Sequence, residues 1–191
     1  MNLAIFGGSF DPVHNAHLEV ARAAASAFHL DRVLFVPAAV SPFKAGATTT
    51  PYPHRLRMVE LAIAGDPRFE VSDLEAGTLR SYSIDTVERV QAEIGPAARL
   101  FFIIGADAFA EIQAWHRWRD LAAKVEFIVV SRPGYHYEIP AEARVHRLDT
   151  LDLNVSSSQV RRDLAVISPT PHLPGSVRAY INQYGLYSSG S

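Results

Sequence analysis

Cysteine is absent from the chain. That excludes disulfides, thiolate catalysis and cysteine-ligated zinc, and it fits a reducing compartment. No large excess of one charge is present either. A formal net charge of −2 argues against broad binding to nucleic acid or to an anionic membrane, while leaving room for a local basic pocket. No apolar run approaches the roughly 20 residues needed to cross a bilayer. The chain enters an apolar strand pattern at Asn2 without a basic segment and apolar core before it, so a secretory leader is not expected and the expected location is cytoplasmic. Two phosphate-binding fingerprints are also missing. No Gly-x-x-x-x-Gly-Lys-Ser/Thr loop occurs, and no Gly-x-Gly-x-x-Gly follows the first strand pattern, which weakens P-loop and dehydrogenase readings. Neither an internal repeat nor a linker divides the sequence. Residues 1–187 are expected to form one domain, with Ser188 to Ser191 a frayed tail.

What is present is an ordinary globular composition, 48% hydrophobic and 20% charged over 191 residues, long enough to bury a real core. The chain is organised around its first turn. Asn2 to Phe6 is a short apolar run, followed by Gly7, Gly8, Ser9, Phe10, Asp11, Pro12 and Val13, and then by His14 and His17 at the start of an alanine-rich helical pattern. Glycines let backbone approach a ligand without a Cβ in the way. The N–H groups and positive dipole end of the helix form an anion seat. Imidazoles at i and i+3 share one face of the first turn. Phosphate chemistry is the first expectation, with Asn15 as N-cap.

The remaining pattern alternates strand and helix. Arg32 to Pro37, Arg99 to Ile104 and Val125 to Val130 are continuous apolar runs, the mark of strands buried on both faces. Leu18 to Leu30, His54 to Ala64, Ser83 to Ile94, Ser156 to Ala165 and Pro174 to Tyr184 carry helical spacing or helix-boundary residues. Phe69 to Ser72, Ala143 to Leu148 and Leu151 to Val155 are weaker strand patterns. The fold class expected is α/β: a doubly wound, Rossmann-like parallel sheet of about five strands, helices on both faces and a small helical C-terminal subregion. Trp118 is expected in the core; His54, Arg55 and Arg57 are expected on the surface.

Ligand-type residues then fall at successive strand ends: Gly8 to His17, Lys44, Asp107 after Gly105, and Arg132. Ser156, Ser157 and Ser158 add another helix N-terminus. In an open α/β sheet these ends share one rim, where ligands bind.

The segment Gly7 to His17 resembles the (H/T)xGH signature of the adenylyl/cytidylyltransferase superfamily, and Val155 to Arg161 resembles its second signature, ISSTxxR. Ser81 to Thr86, Phe102 to Asp107, Trp115 to Trp118, Ser131 to Tyr135 and Leu173 to Tyr187 resemble, in order, segments of the bacterial nicotinate-nucleotide adenylyltransferases. The likeness runs almost end to end. Two positions depart from the pattern: Ala16 stands where that family has glycine, and Phe43 replaces a histidine in the segment Ser41 to Lys44.

The resemblance implies transfer of an adenylyl group from ATP to nicotinate mononucleotide, giving deamido-NAD and pyrophosphate. It implies His14, His17, Lys44 and Arg161 as the groups that hold the reacting phosphates, with Mg²⁺ carried in by ATP and no protein metal site. Gly7, Gly8, Ser9 and Phe10 would cradle nucleotide, and Ser156, Ser157 and Ser158 would seat the far phosphate. Trp115 offers a flat surface for the pyridine ring. The resemblance also puts Ser83 and the His116 backbone near the carboxylate of the acceptor, Asp107 and Arg132 near ribose and phosphate groups, and Gly105 among the binding residues. No acidic residue lies within Tyr82 to Ile84 or Ala114 to Arg117, which favours an acid over an amide acceptor; Asp85 stands close by. The competing readings are the same chemistry on nicotinamide mononucleotide or phosphopantetheine, and a nucleotide-binding module without turnover. A homo-oligomer is compatible with all of them.

Overall fold

The structure is a computed structural model that describes residues 1–39, 50–78, 81–95, 97–149, 155–166 and 171–187. Six strands form one sheet: β1 (Asn2–Gly8), β2 (Arg32–Pro37), β3 (Phe69–Val71), β4 (Arg99–Gly105), β5 (Glu126–Ser131) and β6 (Val145–Asp149). Their order is β3-β2-β1-β4-β5-β6, and every neighbouring pair is parallel. This is the doubly wound arrangement expected, with one strand more than the sequence indicated. Both β3 and β6 fall on weak strand patterns, Phe69 to Ser72 and Ala143 to Leu148, and β6 is an edge strand of which only Leu148 is buried. Residues 151–154 of the other weak pattern lie outside the described residues, as do Lys44 and the tail 188–191.

Strand alternation divides the core in two, because successive side chains leave opposite faces of the sheet. Ala4, Val33, Phe35, Phe101, Ile103 and Ile128 face one layer. That layer consists of α1 (Asn15–Ala27), α2 (Tyr52–Ile63), α6 (Ser157–Ala165) and α7 (Gly175–Tyr184), through Leu18, Met58, Val160 and Val177. Leu3, Ile5, Leu34, Leu100, Phe102 and Phe127 face the other, made of α3 (Ser83–Ile94), α4 (Ala106–Ala110) and α5 (Trp118–Lys124). The C-terminal helices therefore finish the first layer. Trp118 is in the second core, as expected.

Arg55 is the correction with most consequence. It was expected on the surface, yet it is only 1% exposed. It stands on α2 with Met58 and Val59 at i+3 and i+4, both fully buried, so it belongs to the buried face of the helix.

Candidate active site

β1 and β4 are neighbours where the strand order reverses, which is where an open α/β sheet forms its crevice. Two adjoining cavities occupy it. One, of about 500 Å³, is lined by His14, Ala16, His17, Ser156, Ser157, Ser158 and Arg161, and by the buried carboxylate residue Asp11. The other, of about 300 Å³, is lined by Gly7, Val36, Ala38, Ser81, Ser83, Phe102 and Trp115, with Glu75 and Glu111. Phe6, Gly8, Ser9 and Gly105 line both. Carboxyl ends of the two central strands are thus the shared wall.

The turn after β1 is shaped by its aromatic side chain. Phe10 adopts a left-handed φ of 45° and is 1% exposed, its ring packed near those of Phe6, Phe35 and His17. A Cβ on residue 8 would stand 3.1 Å from the Phe10 ring, so a side chain there would have to displace a buried ring by a few tenths of an ångström. Helix α1 then starts with His14 as N-cap in place of Asn15. The Asn15 side chain instead donates to the Pro171 carbonyl at 3.3 Å.

His14 and His17 are stacked, ring centroids 3.7 Å apart. The His14 backbone N–H donates to His17 Nδ1 at 3.2 Å. With Nδ1 accepting, a neutral His17 carries its proton on Nε2, which makes that nitrogen the donor. His14 is buried, and its Nδ1 has no hydrogen-bond partner among the described residues. Burial, reinforced by the neighbouring His172, pushes it down to about 4. A charged imidazole is disfavoured there because water is excluded, so His14 is a neutral ring near pH 7.

Helix α6 brings the second signature to the first. Its N-cap, Ser156, accepts from the Gln159 N–H at 3.2 Å. Ser157 Oγ donates to the Pro12 carbonyl at 3.0 Å, and Arg161 Nη1 to the Asp11 carbonyl at 2.7 Å. Arg161 Nη2 also donates to Ser158 Oγ at 3.2 Å. Two helix N-termini and one guanidinium consequently border the same cavity, an arrangement suited to a polyphosphate. Asp11 itself accepts from Tyr187 Oη at 2.5 Å; burial and that bond raise the Tyr187 phenol far above its usual range.

The smaller cavity suits a flat ring. Trp115 is half-buried on its wall and meets Phe102 edge to face. Ser83 opens α3 at the cavity wall. Glu75 is buried; it accepts from Thr86 Oγ1 at 2.6 Å and from the Ala39 N–H at 3.3 Å. That N–H also donates to Ser81 Oγ at 3.0 Å.

Of the residues singled out from sequence, Gly8, Ser9, His14, His17, Gly105, Ser156, Ser157, Ser158 and Arg161 meet in the larger cavity. Gly7, Ser83 and Trp115 meet in the smaller one. Phe10 lines neither, since its ring is core. Asp107 is exposed on the first turn of α4 and accepts from Tyr135 Oη at 2.7 Å. Arg132 is exposed beyond β5, and His116 is exposed with its ring 4.4 Å from that of Tyr82; none of these three lines either of the two cavities. Sequence reasoning missed Asp11, Glu75, Glu111 and Arg55. Two carboxylates on the wall of the smaller cavity also remove the argument from missing acidic neighbours, because Glu75 and Glu111 lie a few positions before Tyr82 and Ala114 and still reach that wall. Helical spacing from Arg55 to Met58 and Val59 was the available signal for the arginine.

This geometry defines a nucleotide-binding α/β protein, and residues 5–163 match the cytidylyltransferase-like family, to which the chain belongs. A protein of Solibacter usitatus named "Probable nicotinate-nucleotide adenylyltransferase" is 57% identical over 188 residues, covering 98% of this chain and all of its own. A protein of Pelobacter propionicus with the same name is 38% identical and covers 98% and 99%. Among solved structures, Plasmodium falciparum nicotinic acid mononucleotide adenylyltransferase complexed with NaAD shares the fold at a TM-score of 0.80, with 22% identity and 97% of each chain covered.

Proposed function

We infer that this protein is a nicotinate-nucleotide adenylyltransferase: it transfers the adenylyl group of ATP to nicotinate mononucleotide, giving deamido-NAD and pyrophosphate in NAD biosynthesis. The observation that carries the assignment is the pair of adjoining cavities sharing Gly8, Ser9 and Gly105. One has the donors for a polyphosphate; the other has an indole and a helix N-terminus for a ring bearing an anion. Full-length likeness to proteins of that name supports it.

The acceptor phosphate is an anion near neutrality, so attack on the α-phosphorus needs no general base. What the reaction needs is two anions held in line and charge stabilised on the non-bridging and leaving oxygens. Neutral imidazoles are adequate for that task, because each still carries one N–H. His17 donates through Nε2 and His14 through its single N–H. Arg161 and the N–H groups at the start of α6 take the outer phosphates. Lys44 is assigned to the triphosphate by resemblance. Mg²⁺ arrives with ATP as part of the substrate and neutralises phosphate oxygens. On the acceptor side, Trp115 receives the pyridine face, and Ser83 with the His116 backbone receives its carboxylate. Asp107 and Arg132 are assigned to ribose and phosphate contacts. A cytoplasmic location belongs to the same reading.

The test is one assay: purified protein with ATP, Mg²⁺ and, in turn, nicotinate mononucleotide, nicotinamide mononucleotide and phosphopantetheine, with pyrophosphate measured. Turnover on the acid mononucleotide well above the others supports the assignment. Preference for the amide moves it to the amide enzyme, and ATP binding without pyrophosphate from any acceptor leaves only a binding module.

A further inference from the structure

Arg55 places a cation where helix periodicity asks for an apolar side chain. Burying a guanidinium is costly unless its donors are met and its charge is opposed. Both conditions hold. Nε donates to the Thr50 carbonyl at 3.0 Å, Nη1 to the Ser9 carbonyl at 2.7 Å and the Ala38 carbonyl at 2.8 Å, and Nη2 to the Ala39 carbonyl at 3.3 Å. These carbonyls belong to three separate segments: the turn after β1, the exit from β2 and the approach to α2. Asp11 and Glu75, both buried, are the carboxylates whose charge favours the guanidinium, against the burial that disfavours it.

The bonded peptides stand at the junction of the two cavities. Ser9 lines both, Ala38 lines the smaller one, and the two opposing carboxylates lie one in each. In a planar trans peptide the N–H points opposite to the carbonyl. Holding the Ala38 carbonyl therefore turns the Ala39 N–H the other way, and it is found donating to Ser81 Oγ and Glu75. By the same geometry, holding the Ser9 carbonyl turns the Phe10 N–H away from Arg55. The guanidinium thus sets the orientation of backbone on both sides of the shared wall.

We propose that Arg55 is a positioning residue for the transfer reaction, fixing the Ser9 and Ala38 peptides so that nucleotide and acceptor are seated in register. This rests on the adenylyl-transfer reading. A lysine keeps the charge but has three donors on a flexible stem, so it cannot reproduce a fork that spans four carbonyls. A methionine fills similar space without charge but leaves the buried Asp11 and Glu75 unopposed, so it is expected to lower stability, and its kinetics are read per folded molecule.

Arg55→Lys and Arg55→Met are the variants, with Arg57→Ala, on the exposed side of the same helix and paired with Glu60, as control. Steady-state rates are measured with each substrate varied, alongside thermal midpoints, and ATP affinity is measured by calorimetry. The expected result is a folded Arg55→Lys enzyme whose kcat falls while KM rises for both substrates, with kcat/KM down about tenfold to a hundredfold, and an unchanged Arg57→Ala. A merely structural role would lower the melting temperature and leave the kinetic constants per folded molecule intact. Kinetic constants within twofold of wild type for folded Arg55→Lys or Arg55→Met would overturn the proposal, as would an effect on only one substrate. If neither variant folds cooperatively, Arg55 is a stability residue and the proposal fails. Should wild-type protein release no pyrophosphate, the functional reading fails separately; the ATP affinities of wild type and variants still decide whether Arg55 shapes the nucleotide seat.

Discussion

Arg161 and Asp11, 150 positions apart, are joined by a guanidinium-to-carbonyl bond of 2.7 Å. It seats the start of α6 against the turn after β1, and the Ser157 hydroxyl repeats the connection one residue along at Pro12. The guanidinium therefore has two roles, shaping the larger cavity and supplying charge on its wall. Arg161→Ala should lower kcat by about 10²–10³, whereas Ser157→Ala, which removes only the neutral connection, should lower it by less than tenfold. Initial rates at saturating ATP and acceptor decide this. Equal losses for the two would mean that the seating of α6 matters and the charge does not.

His17 differs from His14 in what holds it. Its Nδ1 accepts from the His14 N–H and its ring packs edge-on against Phe6 and Phe10, which leaves Nε2 as the proton-bearing nitrogen. His17→Ala should fold normally and lose about 10²–10³ in rate. His17→Asn should retain more of it if an amide donor reaches the same phosphate oxygen. Near-full activity of the alanine variant would remove the phosphate role from this residue.

Acid sensitivity should come in two steps. His14 is held at about 4 rather than its ordinary 6.5 by burial and by His172. Between those values the unfolded chain binds a proton that the folded state excludes, so stability falls as the pH drops from 6.5 to 4, by on the order of 2–3 kcal/mol. Glu126, at the amino-terminal end of β5 and so away from the cavities, is held at about 2 rather than 4.5, chiefly by Arg99 and also by His146. Its contribution is whole above pH 4.5 and is lost between 4.5 and 2. Urea unfolding at closely spaced pH values should show both slopes, and His14→Gln should remove the upper one alone. An unchanged upper slope in that variant would assign it to another group.

Strands whose chemistry is local were readable in advance. β1, β2, β4 and β5 are apolar runs buried on both faces, and the rim residues at their ends followed from parallel topology. β6 shows only as a weak pattern because an edge strand carrying His146, Arg147 and Asp149 has little apolar alternation. Glu75 is illegible for another reason: it lies in turns without periodicity, and its place on a cavity wall depends on Thr86 of α3 and on Ala39 beyond β2. Arg55 had the spacing of a buried position, but a cation normally overrides that spacing. Only the arrival of four carbonyls from elsewhere makes the position habitable. Local pattern thus reported the scaffold and half of the site, while long-range backbone contacts decided the rest.

Ala16 is where the chain departs from the glycine of the related signature, and its surroundings yield the last prediction. The residue is in the first turn of α1, 7% exposed, with its surface on the wall of the larger cavity beside His14 and His17. Its methyl favours the helix, since glycine in a helix interior costs roughly 0.5–1 kcal/mol relative to alanine. The same methyl occupies space at the helix N-terminus where the proposed function brings a phosphate toward backbone N–H groups. Ala16→Gly should therefore lower the melting temperature slightly and also lower KM for ATP, by a few-fold, with KM for the mononucleotide unchanged because the smaller cavity does not include residue 16. If the glycine variant instead binds ATP more weakly, helix order at the phosphate seat outweighs the space gained, and the methyl is part of the catalytic fit.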